Sequence, residues 1–259
     1  MKLIDTHAHV YYLEESIIES EISEAVKVGV KKVLIPNVDV ASYDKMIDCC
    51  KRNAASCMPM LGLHPCSVDQ HVEQNLNALA SKLNDYEWIG IGEVGIDCYY
   101  NQTFLELQKI AFKKQIEWAV KRNKPLIVHS RNAFWECIAC IDEMADAGFK
   151  SFGIFHCFNE SKNEAEACIQ RGFMIGIGGT ITYKKNTALR SLIKEIGIDH
   201  VVLETDTPFL SPEPVRGKPN TPKYVVYVAQ KISEILNISL EEVAIKTTQN
   251  AQKVFGFDV

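Results

Sequence analysis

Eight short runs rich in valine, isoleucine and leucine punctuate the chain, at residues 2–5, 32–36, 59–63, 88–93, 125–129, 152–156, 173–178 and 201–205. They are largely apolar along their length, as parallel strands covered on both faces are. Between them lie segments whose apolar residues recur at helical spacing, among them 14–28, 104–122 and 160–171. Dividing 259 residues among eight units allots about 32 to each, enough for one strand and one helix. That total is near the ~250 residues of a (β/α)8 barrel. The expected architecture is an α/β chain folded as a (β/α)8 TIM barrel, one domain over residues 1–259 with its chemistry at the carboxyl-end face of the strands.

The one break in this pattern is residues 208–222, which carry five of the nine prolines and can be neither helix nor central strand. As a linker it would sever a fragment too short to fold alone, so it is expected to be the long loop after the eighth strand, followed by closing helices over 223–236 and 240–255. No apolar run approaches the roughly 18 residues of a membrane span. With 47% hydrophobic and 24% charged residues the composition is globular, not disordered or fibrous. Lys and Arg number 28 against 33 Asp and Glu, giving 28 − 33 = −5. A chain of that balance has no global basic field, so contact with nucleic acid has to be local. The start, Met1-Lys2-Leu3-Ile4-Asp5, lacks the apolar core and small-residue cleavage site of a secretory signal. The nine cysteines, from Cys49 to Cys168, are an odd number in a chain that needs no staples. Reduced thiols and a cytoplasmic location are the expectation. Cys137-Ile138-Ala139-Cys140 falls in a helical segment with no second pair to complete a zinc site.

Potential metal donors recur at the carboxyl ends of the runs. His7-Ala8-His9 follows the first strand, where alternation turns both imidazoles to one side. Glu93 ends the fourth run, His129 the fifth and His156 the sixth, and Asp206 follows the eighth. In a barrel all six project at the face where such folds keep their active sites. Crowding carboxylates and imidazoles there unpaired would carry heavy desolvation and repulsion costs, which divalent cations relieve. Nitrogen and oxygen donors without thiolate suit zinc, manganese, iron or magnesium. Six donors exceed one tetrahedral site, so two metals bridged by Glu93 are expected, with a shared water as nucleophile and Asp206 able to take its proton.

Other motifs are weaker. Gly90-Ile91-Gly92-Glu93-Val94-Gly95 matches the dinucleotide fingerprint, but no helix opens after it and a glutamate would face the pyrophosphate. Gly176-Ile177-Gly178-Gly179-Thr180 is either an amide cradle for phosphate or a tight turn. His64 lacks a place among the six donors and either contacts a phosphate or leaving group or packs at the rim of the third strand. Arg131, Lys184, Lys185, Arg216 and Lys218 fall in the loops of the same face, as phosphate partners or as solvated surface charge. Tyr99, Tyr100 and Phe158 are candidate stacking surfaces for bases or simple packing. Cys157 adjoins His156, but neighbours on a strand point to opposite faces, against a thiolate–imidazole pair.

The ordered series Asp5-Thr6-His7-Ala8-His9, Gly62-Leu63-His64-Pro65, Gly92-Glu93-Val94-Gly95-Ile96-Asp97, His129-Ser130-Arg131, His156-Cys157-Phe158, Glu204-Thr205-Asp206-Thr207-Pro208 and Arg216-Gly217-Lys218-Pro219-Asn220 resembles the motifs of the TatD family of metal-dependent deoxyribonucleases. The resemblance runs from residue 5 to the closing helix. It implies an amidohydrolase-like metal-dependent barrel with His7, His9, Glu93, His129, His156 and Asp206 as metal ligands. It also implies hydrolysis of DNA phosphodiesters, as a 3′-to-5′ exonuclease on single strands or frayed ends. Where many relatives read His-Cys-Phe-Ser-Gly, this chain has His156-Cys157-Phe158-Asn159-Glu160, an added negative charge that bears on substrate preference rather than on the ligand. Two rival readings are a metal hydrolase of a small phosphoester, amide, lactone or aminoacyl-tRNA ester, and a metal-stabilised binding protein without turnover. Asp206 argues against the second, since a purely structural site gains little from a carboxylate at an open position.

Overall fold

The computed structural model describes residues 1–99 and 102–259. Its strands are β1 (Leu3–Asp5), β2 (Val30–Pro36), β3 (Cys57–Leu61), β4 (Gly90–Asp97), β5 (Leu126–Arg131), β6 (Gly153–Phe155), β7 (Phe173–Ile177) and β8 (Val201–Leu203). They form one sheet in chain order, with each neighbouring pair parallel. The two edges meet just beyond β1 and β8. There the Thr6 amide donates to Leu203 O (2.9 Å), the Asp206 amide to His7 O (2.9 Å) and the His9 amide to Thr207 O (2.7 Å). The (β/α)8 barrel is the observed fold, and its closing seam runs through the segments that carry His7, His9 and Asp206.

The helices are α1 (Ile18–Lys27), α2 (Tyr43–Arg52), α3 (Val72–Ser81), α4 (Leu105–Arg122), α5 (Phe134–Asp146), α6 (Lys162–Gln170), α7 (Thr187–Ile196), α8 (Val225–Leu236) and α9 (Leu240–Phe255). Ser239 opens α9 by accepting from the Glu242 amide at 3.1 Å, which satisfies one of the amides that a helix start leaves without a partner. The first helix is shorter than the expected 14–28. Two 3-10 turns, Val10–Tyr12 and Glu15–Ile17, precede it, because the Tyr11 hydroxyl is tied to Pro36 O at 2.9 Å and holds the chain at the barrel mouth.

One side chain from most strands fills the lower barrel: Ile4, Leu34, Met60, Ile127, Ile154, Met174 and Val202 pack together, and Ala251, Val254 and Phe255 of α9 close the end beneath them. Burying each large aliphatic side chain is worth roughly 1.5–3 kcal/mol. This plug leaves the opposite, carboxyl-end face as the open one.

Two strands run beyond their expected ends. β4 and β5 continue past Glu93 and His129 through the pairs Gly95↔His129, Ile96↔Ser130 and Asp97↔Arg131. Ladder bonding needs only backbone, so polar side chains do not stop a strand. Glu93 and His129 are therefore inside their strands. The register shifts between Ile91 and Val94, an irregularity of the kind that re-aims a side chain, and Glu93 sits in it. Gly95 permits the close approach that follows: it has φ +131°, and a Cβ there would fall 2.1 Å from His129 O.

No helix among the described residues is long and apolar enough to cross a membrane. All nine thiols are free. Cys137 and Cys140 are buried in α5, and burial pushes the Cys140 thiol up to about 11 and Cys137 further. Reactive or metal-binding cysteines show the opposite shift. The Gly90–Gly95 fingerprint lies wholly inside β4, so no phosphate-binding turn exists there.

Candidate metal centre

The strand-end segments bring all six expected donors together. Glu93 lies at the middle, and its two oxygens face different imidazoles. Oε2 is 3.2 Å from His7 Nε2 and 3.1 Å from His9 Nε2. Oε1 is 2.8 Å from both His129 Nδ1 and His156 Nε2. Asp206 Oδ1 stands slightly further off, 3.7 Å from His7 Nε2 and 3.8 Å from His9 Nε2. His64, which the sequence left apart from the donors, also enters the cluster, with Nε2 at 3.1 Å from Glu93 Oε1. Its Nδ1 accepts from the Cys66 amide at 3.0 Å, so Nε2 carries the proton in the neutral ring and can donate to Glu93 or a ligand. Among the described residues three groups of potential ligand atoms result: His7, His9 and Glu93; His64, Glu93 and His129; and His7, His156 and Asp206.

The hydrogen-bond network decides which nitrogens are available. The Tyr11 hydroxyl donates to Pro36 O and so accepts from His9 Nδ1 at 3.2 Å, leaving a lone pair on His9 Nε2. That nitrogen lies 3.1 Å from His7 Nε2, and both face the same carboxylate oxygen. Burial, reinforced by His156, holds the His7 imidazole well below its usual range, so it is neutral, the ligating form. Lone pairs and a carboxylate oxygen converging without enough protons between them fit a cation.

Burial by itself raises the Glu93 carboxyl, but His64, His156 and His7 more than offset it and hold it well below the carboxylate range. Burial pushes Asp206 up to about 7, with His9 opposing and Glu93 adding to the rise. Its backbone is left-handed at φ 58°, a conformation that Asp and Asn tolerate better than most residues. Asp206, His64 and His129 have side chains 13–16% exposed and line the opening, whereas His7 and Glu93 lie beneath them.

Sequence reasoning assigned no role to Asp97. The structure sets its Oδ2 2.9 Å from His129 Nε2, so His129 is fixed between two carboxylates, with Nδ1 turned to Glu93. Burial lowers His129, yet the bonds to Asp97 and Glu93 raise it to about 9. The signal was present in Glu93-Val94-Gly95-Ile96-Asp97, since residues four apart on a strand share a face. Such outer carboxylates orient a ligating histidine and strengthen it. Asp97→Asn is expected to weaken metal binding by about 10–100-fold with the fold intact. Calorimetric titration of metal-free protein with Mn2+ measures this; unchanged affinity would mean that Asp97 serves only the Tyr99 amide it accepts at 2.9 Å.

The expected substrate contacts divide. Lys184, Lys185 and Arg216 line one groove of about 490 Å³ with Tyr183, Asn186 and Glu213. The Arg216 guanidinium lies 4.2 Å from the Tyr183 ring centroid, and Arg131 lies 3.5 Å from that of Tyr99. Phe158 is no stacking surface: it is 4% exposed and packs edge-on to Phe134, because the chain turns inward after β6. Tyr100 lies outside the described residues. Asn159 accepts from Asn186 Nδ2 at 2.8 Å, a tie between loops, and Glu160 is half-buried. Gly179–Thr182 forms a tight 3-10 turn, the structural alternative for the glycine cluster.

A parallel (β/α)8 barrel with histidines and carboxylates gathered at its open face defines a metal-dependent hydrolase. Comparison with known proteins agrees. The family model described as TatD related DNase matches residues 4–256. The chain is 32% identical over 255 residues to the uncharacterized metal-dependent hydrolase YabD of Bacillus subtilis (strain 168), covering 98% of each. It is 31% identical over 268 residues to the uncharacterized metal-dependent hydrolase YcfH of Escherichia coli (strain K12), covering all of this chain and 97% of that one. Among solved structures, the TatD homologue YjjV of Escherichia coli K12 superposes with a TM-score of 0.91 at 25% identity, covering 99% of this chain and 98% of that one. The chain belongs to the TatD family of metal-dependent hydrolases.

Proposed function

We propose that the protein hydrolyses DNA phosphodiesters, releasing nucleotides 3′ to 5′ from single strands or frayed ends. In this reading two divalent cations, Mg2+, Mn2+ or Zn2+, are held by His7, His9, Glu93, His129, His156 and Asp206. The observation that carries it is the division of Glu93, with Oε2 against His7 and His9 and Oε1 against His129 and His156. One carboxylate shared by two nitrogen sets would suit a pair of cations. When bound, such ions lower the pKa of water and polarise the phosphoryl group.

The remaining work falls to the chain's own side chains. Asp206, at the opening and pushed up to about 7, takes the proton of the attacking water at its carboxylate. Asp97 holds the His129 ring in register, and Tyr11 does the same for His9. His64 Nε2, part-exposed beside Glu93, orients the scissile phosphate, and Arg131 and Arg216 bind phosphate oxygens. DNA as the substrate is supported by the description of the matching family model and by cationic side chains concentrated in one groove of a chain with net charge −5.

The test is nucleotide release from end-labelled single-stranded DNA by chelator-stripped protein with Mg2+ or Mn2+ restored. Release that depends on metal is expected, and the position of the label gives the direction. A metal-loaded protein inert on DNA yet active on a small phosphoester, amide or lactone would overturn the reading.

A further inference from the structure

Two exposed aromatic rings adjoin the metal donors, and none of the roles assigned above uses them. Tyr12, 40% exposed, ends the first 3-10 turn with its ring centroid 5.7 Å from that of His9 and the planes 26° apart. Phe209, 52% exposed, comes from the loop after β8 and lies 6.4 Å from the same imidazole. Exposed apolar side chains scattered singly are ordinary, whereas aromatic rings grouped beside a polar centre mark a ligand surface. Both are held at the backbone. The Tyr12 amide donates to His9 O at 2.9 Å. The fully buried Asn220 side chain donates to Phe209 O at 2.8 Å and to Thr205 O at 2.7 Å, so the ring is presented on a fixed loop. That loop also carries Arg216, which lies over Tyr183. Aromatic faces beside the donors and a guanidinium further along the same loop match a ligand with a flat ring at one end and phosphates at the other.

We infer that Tyr12 and Phe209 form the slot for the base of the terminal nucleotide, so that the site selects nucleotides by stacking, without reading base edges. This deepens the phosphodiesterase reading and rests on it. Stacking of this kind tolerates any base, because every base has a π face.

The experiment compares internally labelled oligonucleotides whose two ends carry either thymine or an abasic sugar. It records kcat/KM with the metal-loaded protein and equilibrium binding with the metal-free protein. The wild type is expected to favour the base-bearing ends by roughly 5- to 150-fold. In Phe209→Ala and Tyr12→Ala that ratio falls towards one, and Phe209→Trp retains it. Equal losses on both oligonucleotides would mean that the rings only support the metal donors, and would overturn the slot. An unaltered ratio in the variants would overturn it too, while leaving the nuclease reading in place. A wild type that neither binds nor cuts either oligonucleotide would overturn both, a result visible before any variant is made.

Discussion

Replacing Glu93 with alanine is expected to reduce hydrolysis to background, by at least about a thousandfold, beyond the 10–100-fold that loss of an outer partner costs. The reason is geometric. Five imidazole nitrogens lie within 3.2 Å of its two oxygens, and among the described residues no other carboxylate reaches both nitrogen sets. Without it His7 and His9 on one side and His129 and His156 on the other have no common anion. The barrel is expected to persist, since its plug of Ile4, Leu34, Met60 and Phe255 is at the opposite end. Metal content by elemental analysis, read beside circular dichroism, checks this. A folded Glu93→Ala protein with undiminished metal content and turnover would contradict the bridge.

Asp206→Asn is expected to lower kcat by about 10²–10⁴, the range of a lost general base, with a much smaller change in metal content. Asp206 lies 3.7–3.8 Å from the nearest imidazole nitrogens, against 2.8–3.2 Å for Glu93, and it lines the opening. Asparagine suits the experiment because it accepts the left-handed backbone at φ 58°, where alanine would add strain. Kinetics and metal analysis on one sample separate the roles. Complete loss of metal would make Asp206 chiefly a ligand, and an unaffected kcat would remove it from proton transfer.

Some of this was legible in the chain before any coordinates. Residues 240–255 had helical spacing, and α9 has those bounds. The order of the donors along the chain followed from the order of the strands. The fourth and fifth strands extend beyond their expected ends, because the polar Glu93 and His129 interrupt the apolar runs while the backbones beyond them keep pairing. Phe158 was a candidate stacking surface and is buried, whereas Tyr12, to which the sequence assigned no role, is exposed beside His9. Both are aromatics just past a strand, and nothing local says which ring the loop buries.

The sequence by itself determined the repeating strand–helix order, the face on which His7, His9, Glu93, His129, His156 and Asp206 gather, and the family. Those depend on periodicity and position along the chain, which neighbouring residues set. Only the tertiary structure decided that Glu93 divides its oxygens between two imidazole sets, that Asp97 fixes His129, that His64 joins the cluster, and that Tyr12 and Phe209 remain in solvent beside His9. These depend on how far along the barrel axis each strand is staggered and how each loop folds over the mouth. That depth and direction come from contacts between residues far apart in sequence, and no local pattern encodes them.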